Sequence, residues 1–319
     1  MKRFLSVLLM LALFILMASC KGMGEPAVQT TPVRVGVENQ SPGGGQGGGD
    51  PSGGWSPADP SDPTDTTDTR GDETGDAPAS GSDESFSYTL QDDGYIIRKR
   101  TGATLPDQLV IPSSFNGLPV VAIDSNAFVG APNVVSVEIP DSVLWIGDSA
   151  FSSNTQKIIC SADLELPYDL KDQVTSLVLT SGVVWDCALM FQLKELELRA
   201  GVTEIQIRAL YACHNLKKVT IHNGLQEIGE NAFEDCTALT SIVLPDSVVD
   251  IGAWAFTGCS ALSSIEIGKN VSYIGPCAFN DCTRLRGHIT VDAGNPYFYA
   301  TNGTLYTAEG ENLTAELFG

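Results

Sequence analysis

One pattern returns at a constant interval of about 23 residues along the second half of the chain, and it constrains the fold more than any other feature. A leucine opens five successive copies of this pattern: Leu193, Leu216, Leu239, Leu262 and Leu285. The third copy reads LTSIVLPDSVVDIGAWAFTGCSA, and the fourth reads LSSIEIGKNVSYIGPCAFNDCTR. A fixed period of this length predicts a solenoid, in which each copy forms one coil that stacks on its neighbours.

The residues within one copy explain why a single coil cannot fold alone. The alternation over residues 241–244 predicts a short strand with one buried face, and the Pro-Asp-Ser run at 245–247 predicts a turn. Residues 248–251 give a second extended piece, and Gly252 permits a sharp bend before the apolar pair Ala255-Phe256. Stacked at about 4.8 Å, such copies bury a shared core in which leucine, isoleucine, phenylalanine and cysteine form ladders.

The consensus L-x-x-I-x-L-P-x-x-V-x-x-I-G-x-x-A-F-x-x-C closely resembles the BspA-type, or Treponema pallidum-type, leucine-rich repeat. The resemblance covers about residues 100–319 and implies a β-rich solenoid of short strands with turn or short-helix segments. Earlier copies open near residue 105 and at Val134, residues 152–173 are irregular, and Val174 opens a shortened unit that ends before Leu193. We expect about eight coils within a domain spanning residues 86–319, with a cap-like segment from about residue 286.

The first twenty residues predict a secretory leader. Lys2-Arg3 form a charged start, and the apolar run from Phe4 to Ala18 is short for a membrane span. The small residues before Cys20 resemble the bacterial lipoprotein box, which implies that Cys20 is acylated and anchors the protein in a membrane. The alternative is an ordinary cleaved leader followed by an incidental cysteine.

Residues 21–85 have the composition of a disordered, acidic stalk rich in Gly, Pro, Ser, Thr and Asp. Twelve acidic residues stand against three basic ones, a net charge of −9 that favours an extended tether. The stalk contains Arg70-Gly71-Asp72, the tripeptide that integrins recognise. A segment of this composition also produces that tripeptide by chance.

The net charge of −21 argues against a nucleic-acid ligand, because such ligands require Lys and Arg on phosphates. The column Cys213, Cys236, Cys259 and Cys282 predicts buried free thiols, since side chains of one ladder point the same way. The redox states of Cys160, Cys187 and Cys277, which lie outside this column, stay open.

The sequence contains none of the motifs that we associate with catalysis. His214, His222 and His288 belong to no H-E-x-x-H motif, and neither a nucleophile elbow, a phosphate loop nor a dinucleotide fingerprint is present. No C-x-x-C pair predicts a zinc site. We therefore expect a protein that is not an enzyme and uses neither a cofactor nor a metal.

Function is accordingly expected on the surface of the solenoid. Residues that alternate with the buried ones should face outward, in pairs such as Ser176/Val178 and Ser241/Val243. Exposed aromatic side chains are favoured interface anchors. The candidate protein-binding residues are Trp145, Trp185, Tyr273, Glu195, Glu197, Lys218 and Glu266.

Together these observations predict an exported lipoprotein on the outer-membrane cell surface. The family resemblance implies adhesion, with a host matrix protein or another cell as partner, and this step rests on analogy of fold. A periplasm-facing structural scaffold and a non-catalytic accessory module of an enzyme complex are the alternatives.

Overall fold

The computed structural model describes residues 80–318, which form a β-solenoid. Its strands, in chain order, are β1 (Ser80–Ser82), β2 (Phe86–Gln91), β3 (Gly94–Lys99), β4 (Gln108–Val110), β5 (Ser114–Phe115), β6 (Leu118–Ile123), β7 (Ser136–Glu138), β8 (Trp145–Ile146), β9 (Lys157–Cys160) and β10 (Ser176–Val184). They continue as β11 (Glu195–Ile205), β12 (Lys218–Ile221), β13 (Glu227–Ile228), β14 (Ser241–Val243), β15 (Asp250–Ile251), β16 (Ser264–Ile267), β17 (Tyr273–Ile274), β18 (Ile289–Val291), β19 (Phe298–Thr301) and β20 (Thr304–Thr307). Two short helices, α1 (Tyr168–Lys171) and α2 (Thr314–Phe318), complete the fold, and none of the described helices has the length and apolarity to cross a membrane.

Each coil contributes a strand to a first row, which runs β4-β7-β9-β10-β11-β12-β14-β16-β18. The neighbouring strands of this row that pair are parallel and in register, as in Ile242↔Ile265. Ile242 and Leu244 are buried whereas Ser241 and Val243 are exposed, which confirms the predicted alternation. The row contains nine strands among the described residues, one more than the eight coils expected.

A second row lies on the other limb of each coil. It consists of β6 and β8, and then of the second half of β10, the second half of β11, β13, β15 and β17. The two parts of this row are separated by the coil that contains α1, which supplies no second strand. Val183, Glu204, Glu227, Asp250 and Tyr273 therefore occupy one outward column.

The wall that joins successive coils behind the strands is held by backbone hydrogen bonds. In the coil that contains Phe233, the N–H groups of Asn231, Phe233 and Asp235 donate to carbonyls of the next coil at 3.0, 2.7 and 2.8 Å. Asn231 and Asp235 have left-handed backbones, with φ of 56° and 60°. Non-glycine residues rarely adopt such angles. The repeated bonds to the next coil compensate for that strain.

Aromatic rings and thiols fill the interior of this wall. Phe256 lies between Phe233 and Phe279, with ring centroids 5.2 and 5.8 Å away. The predicted cysteine column is buried, and its members are free thiols. Each thiol of the column donates to a carbonyl of the preceding coil, as Cys259 Sγ does to Phe233 O at 3.2 Å. The cysteines thus act as small apolar groups that also satisfy a backbone acceptor.

The stretch that looks irregular in the sequence is a coil of the solenoid. Its strand β9 pairs in parallel with β7 and β10, and both intervals, from Ser136 to Lys157 and from Lys157 to Ser176, are shorter than those of the regular coils. Leu164, Leu166 and Leu170 fill the core beneath α1. Lys171, 7% exposed, forms an ion pair with Asp186 at 2.5 Å.

Additional elements cover both ends of the core. At the beginning, β1, β2 and β3 form an antiparallel unit whose last strand pairs with β6, and Tyr88 stacks on Phe115 with centroids 3.8 Å apart. At the other end, the antiparallel pair β19–β20 leads to α2. The N–H groups of Cys277 and Phe279 donate to Glu316 O and Leu317 O, so α2 takes the place of the next coil.

Candidate functional site

The outward side chains of the first row form a repetitive surface on the described residues. Glu195 stands opposite Lys218 in the register of β11 and β12. Glu197 lies two residues further along β11, and its carboxylate accepts from Arg199 Nε at 3.5 Å and faces His222 Nε2 at 3.3 Å. The row therefore places charges of both signs side by side on one face.

The other candidates of the first row are separated from this group. Glu266 lies on β16, paired with Val243 and Thr290, in the three-stranded sheet formed by β14, β16 and β18. Val243 is 59% exposed and adds an apolar side chain to that part of the face. The face is thus mixed and shallow rather than centred on one cleft.

The expectation that Val178 faces solvent was wrong, because only 2% of this side chain is exposed. Val178 is in register with Ile159 on one side and Glu197 on the other. Long side chains on adjacent strands reach across such a position and cover it. The surface is therefore interrupted where the shortened coil begins.

The three candidate aromatic residues are exposed but do not form one cluster. Trp145 and Tyr273 are 49% and 52% exposed and lie on β8 and β17, in separate parts of the second row. Trp185, 42% exposed, follows the end of β10 and so lies beside the column rather than in it. The structure consequently places the three candidate aromatic residues on different parts of the solenoid.

Several exposed apolar residues escaped the sequence analysis. Leu144 beside Trp145 is 76% exposed, Tyr168 on α1 is 85% exposed, and Ile207 is 65% exposed. Trp254 is 40% exposed at a left-handed position where neighbouring coils carry Asn231 and Cys277. Alignment of the repeat copies in the sequence would have shown this tryptophan at a position that turn residues occupy in the other copies.

Among residues 80–318, the buried thiols and His214 make structural contacts. Burial raises the pKa of the Cys160 and Cys213 thiols to about 12, so both remain protonated at neutral pH. His214 Nδ1 lies 2.9 Å from the carbonyl oxygen of Asp235, and its ring stacks on Phe191. Within residues 80–318, no group of three or more His, Cys, Asp or Glu side chains is placed to hold a metal ion.

Two cavities lie at the C-terminal end, and none of these candidates lines them. One of about 80 Å³ is lined by Arg286, Leu305, Leu317 and Phe318, among others, and the guanidinium carbon of Arg286 is 5.1 Å from the Phe318 ring centroid. A cavity of this size is far smaller than the 300–1,000 Å³ of typical ligand pockets. The second, of about 530 Å³ and lined by Arg286, Asn312, Thr314 and Ala315, is an open depression of the surface. The geometry therefore favours contact over a surface.

Two further candidate sites fall outside the described residues. They are the proposed acylation site Cys20 and the tripeptide Arg70-Gly71-Asp72.

Comparison with known proteins identifies the repeats. The family model of the BspA type leucine rich repeat region matches six copies, over residues 108–167 and 188–299. These ranges include more than half of the chain, and the chain belongs to this family of leucine-rich-repeat proteins. No curated protein matches it. Solenoids of this class present extended surfaces for binding.

Two solved structures of leucine rich proteins are also similar to the chain. A leucine rich cell surface protein of Faecalibacterium prausnitzii is 27% identical, with 74% of this chain and 61% of that chain covered and a TM-score of 0.39. The chain thus spans about three fifths of that protein. The leucine rich repeat protein of T. pallidum is 28% identical, with coverages of 67% and 80% and a TM-score of 0.29.

Proposed function

We propose that this protein is a lipid-anchored binding protein of the bacterial cell surface, which attaches the cell to a host matrix protein or to another cell. The observation that carries the proposal is the row of nine strands, one from each coil, whose outward side chains alternate with buried ones. Two outward residues per strand, without the buried Val178, give about seventeen side chains, somewhat fewer than the roughly 20–30 residues that one partner contributes to a standard interface.

The chemistry of this face suits a protein partner. Lys218 and Glu195 offer opposite charges, and the exposed Val243 offers apolar contact. Mixed charge provides specificity and faster association, whereas a few desolvated aromatic or apolar anchors provide most of the affinity. Trp145 and Tyr273, which lie on the second row, would serve as such anchors for a partner that also contacts that limb of the coils.

Membrane attachment follows from the leader. An acylated Cys20 would hold the chain on a membrane, and the acidic segment of residues 21–85 would separate the solenoid from it. Several anchored copies would act together, so that weak single contacts add up. Metabolic labelling with a palmitate analogue tests the anchor, because Cys20→Ser should abolish the label.

Proteinase treatment of intact cells tests the location. We expect the solenoid to be digested while a periplasmic marker survives. Protection of the solenoid until the envelope is opened would refute the surface proposal and favour the periplasmic scaffold.

Binding by the full-length protein tests the face itself. Matrix proteins would be screened first, and Glu195→Lys with Glu266→Lys would then be compared with Glu309→Lys with Glu311→Lys on the C-terminal segment. Only the Glu195→Lys, Glu266→Lys variant should change the association rate of the partner. Equal effects of both double variants would show that total charge, rather than this face, governs binding.

The tripeptide Arg70-Gly71-Asp72 is tested separately. Asp72→Glu should reduce attachment to integrin-bearing cells if the tripeptide is recognised.

A further inference from the structure

A narrow edge of the solenoid differs in charge from the rest of the molecule. Each regular coil closes with a turn, in which the N–H of the leucine donates to the carbonyl of the preceding cysteine, as from Leu216 to Cys213 at 3.0 Å. We define the ridge as the two residues before and the one residue after each leucine, from Leu193 to Leu285. It comprises fifteen positions over five coils.

Hydrogen bonds between neighbouring coils join the first four coils of the ridge. Lys217 N–H donates to Lys194 O at 2.9 Å, and Thr237 Oγ1 donates to His214 O at 3.3 Å. Further along, Ser263 Oγ donates to Thr240 O at 3.1 Å. With coils about 4.8 Å apart, five coils give a ridge about 20 Å long.

None of the fifteen positions holds a carboxylate, although residues 86–319 contain 27 acidic residues against 13 basic ones. Lys194 and Lys217 lie at one end of the ridge, and Arg284 and Arg286 lie at the other. The ion pairs formed within the described residues involve other side chains. The four cations are therefore available to an external anion.

The neighbouring acidic groups leave the ridge itself cationic. Glu195 is in register with Lys218, which lies one position beyond the ridge, so the carboxylate of Glu195 stands opposite an ammonium group that is not part of the ridge. The carboxylate of Asp281 accepts from the Asn280 amide at 3.3 Å.

The ridge also has the features of a sugar-binding surface. The ring of Phe191 stacks on His214, with centroids 5.8 Å apart and planes at 21°, and Asn215 Nδ2 donates to Phe191 O at 2.7 Å. Hydroxyl and small side chains occupy the coils between the two cationic ends. A protein interface would instead require a desolvated apolar core.

We propose that the ridge binds a linear anionic polysaccharide, with its sulfate or carboxylate groups on the cations at the two ends and its sugar rings along the hydroxyl-rich centre. This site borders the protein-binding face at Glu195 and Lys218, but the proposal does not depend on that face. Ammonium and guanidinium groups pair strongly with such anions.

Calorimetry with the full-length protein tests the proposal, using heparin fragments as the sulfated probe and hyaluronate fragments as the carboxylated one. We expect binding that weakens as salt rises. Lys194→Ser with Lys217→Ser should raise the Kd about tenfold or more, as should Arg284→Ser with Arg286→Ser. The matched control, Arg100→Ser with Lys269→Ser, also removes two cations and should change the Kd by less than about twofold. Unchanged thermal unfolding would show that each variant is folded.

The outcomes separate the alternatives. Binding of one probe only identifies whether sulfate or carboxylate is the recognised group, and either result supports the site. Equal losses for the ridge and control variants would overturn it, as would no binding of either probe at low salt. Ridge-dependent binding of polyglutamate without any polysaccharide binding would assign the ridge to an acidic protein and refute the proposal.

Discussion

The regular coils after Leu193 and the shortened coils before it maintain the same strand row by different means. In the regular part, each buried group meets a copy of itself, as Phe256 meets Phe233 and Phe279. In the shortened part, individual polar contacts between coils take the place of this stacking of identical side chains. Asp163 Oδ1 accepts from Val183 N–H at 3.2 Å, and Lys171 pairs with Asp186. The packing of the regular coils therefore does not depend on any one polar pair, whereas the stability of the irregular coils depends on particular residues.

The largest expected effect is loss of a ring from the regular part. Phe256→Ala should lower the free energy of unfolding by about 3–5 kcal/mol, because it leaves a cavity between two stacked rings. Urea denaturation measures this change. Phe191→Ala, at a ring that is 44% exposed, is the control and should cost less than about 1 kcal/mol. Equal values for the two variants would contradict the role of the phenylalanine ladder.

A smaller effect is expected from the ion pair of the shortened part. Asp186→Ala should cost about 2 kcal/mol, since it leaves the buried ammonium of Lys171 unpaired while the Asp186 site stays partly open to water. Asp124→Ala, which breaks the more exposed pair with Arg98, should cost less than about 1 kcal/mol. The double variant Lys171→Met, Asp186→Leu should recover stability. Failure to recover would show that Asp186 acts through packing rather than charge.

Alkaline pH distinguishes the buried thiols from the rest of the fold. Burial raises the pKa of Cys213 from 9.0 to about 12. Between these values the unfolded chain releases a proton that the folded chain keeps, so stability falls as pH rises above about 9. Each such thiol should contribute about 1.4 kcal/mol per pH unit. Urea denaturation in a reducing agent should show a smaller slope for Cys213→Ala, and a flat profile from pH 8 to 10.5 would be inconsistent with buried thiols.

The smallest effects on stability are expected at the exposed aromatic residues. Trp145→Ala and Tyr273→Ala should each change the free energy of unfolding by less than about 0.5 kcal/mol, because both side chains are about half exposed. Their effect should appear in partner binding, as a loss of about 1 kcal/mol or more. Surface plasmon resonance measures it, with Tyr168→Ala as the comparison. Large destabilisation without a binding defect would assign these rings to the fold.

The regular coils were predictable because their period is exact over many positions. The alternation around Ile242 and the burial of the cysteine column follow directly from it. Strand β9 was missed because its spacing departs from that period and its coil lacks the leucine and Ala-Phe signals. Phe318 continues the aromatic ladder after Phe279. The two residues are separated in the chain by the pair β19–β20, which no repeat pattern indicates, so the position of Phe318 was not predictable from the period.

The candidate surface was less predictable than the core. Alternation assigns a residue to one face of a strand, but it does not say whether neighbouring side chains cover that residue. The exposure of Val178 was predicted wrongly for that reason. The separation of Trp145 from Tyr273 depends on which coils supply a second strand, and this information lies in the irregular stretch.

The hydrogen bonds of the rear wall have a direction, which bears on how such chains vary in evolution. Each regular coil donates N–H groups to the coil that follows and accepts from the coil before, as Phe233 and Phe256 do in turn. A whole regular coil could be duplicated or deleted between Leu216 and Leu262 without leaving an unmatched donor or acceptor, and the covering elements at both ends would stay the same. Gene duplication could thus adjust the length of the binding surface in steps of about 4.8 Å while the remaining contacts stay as they are.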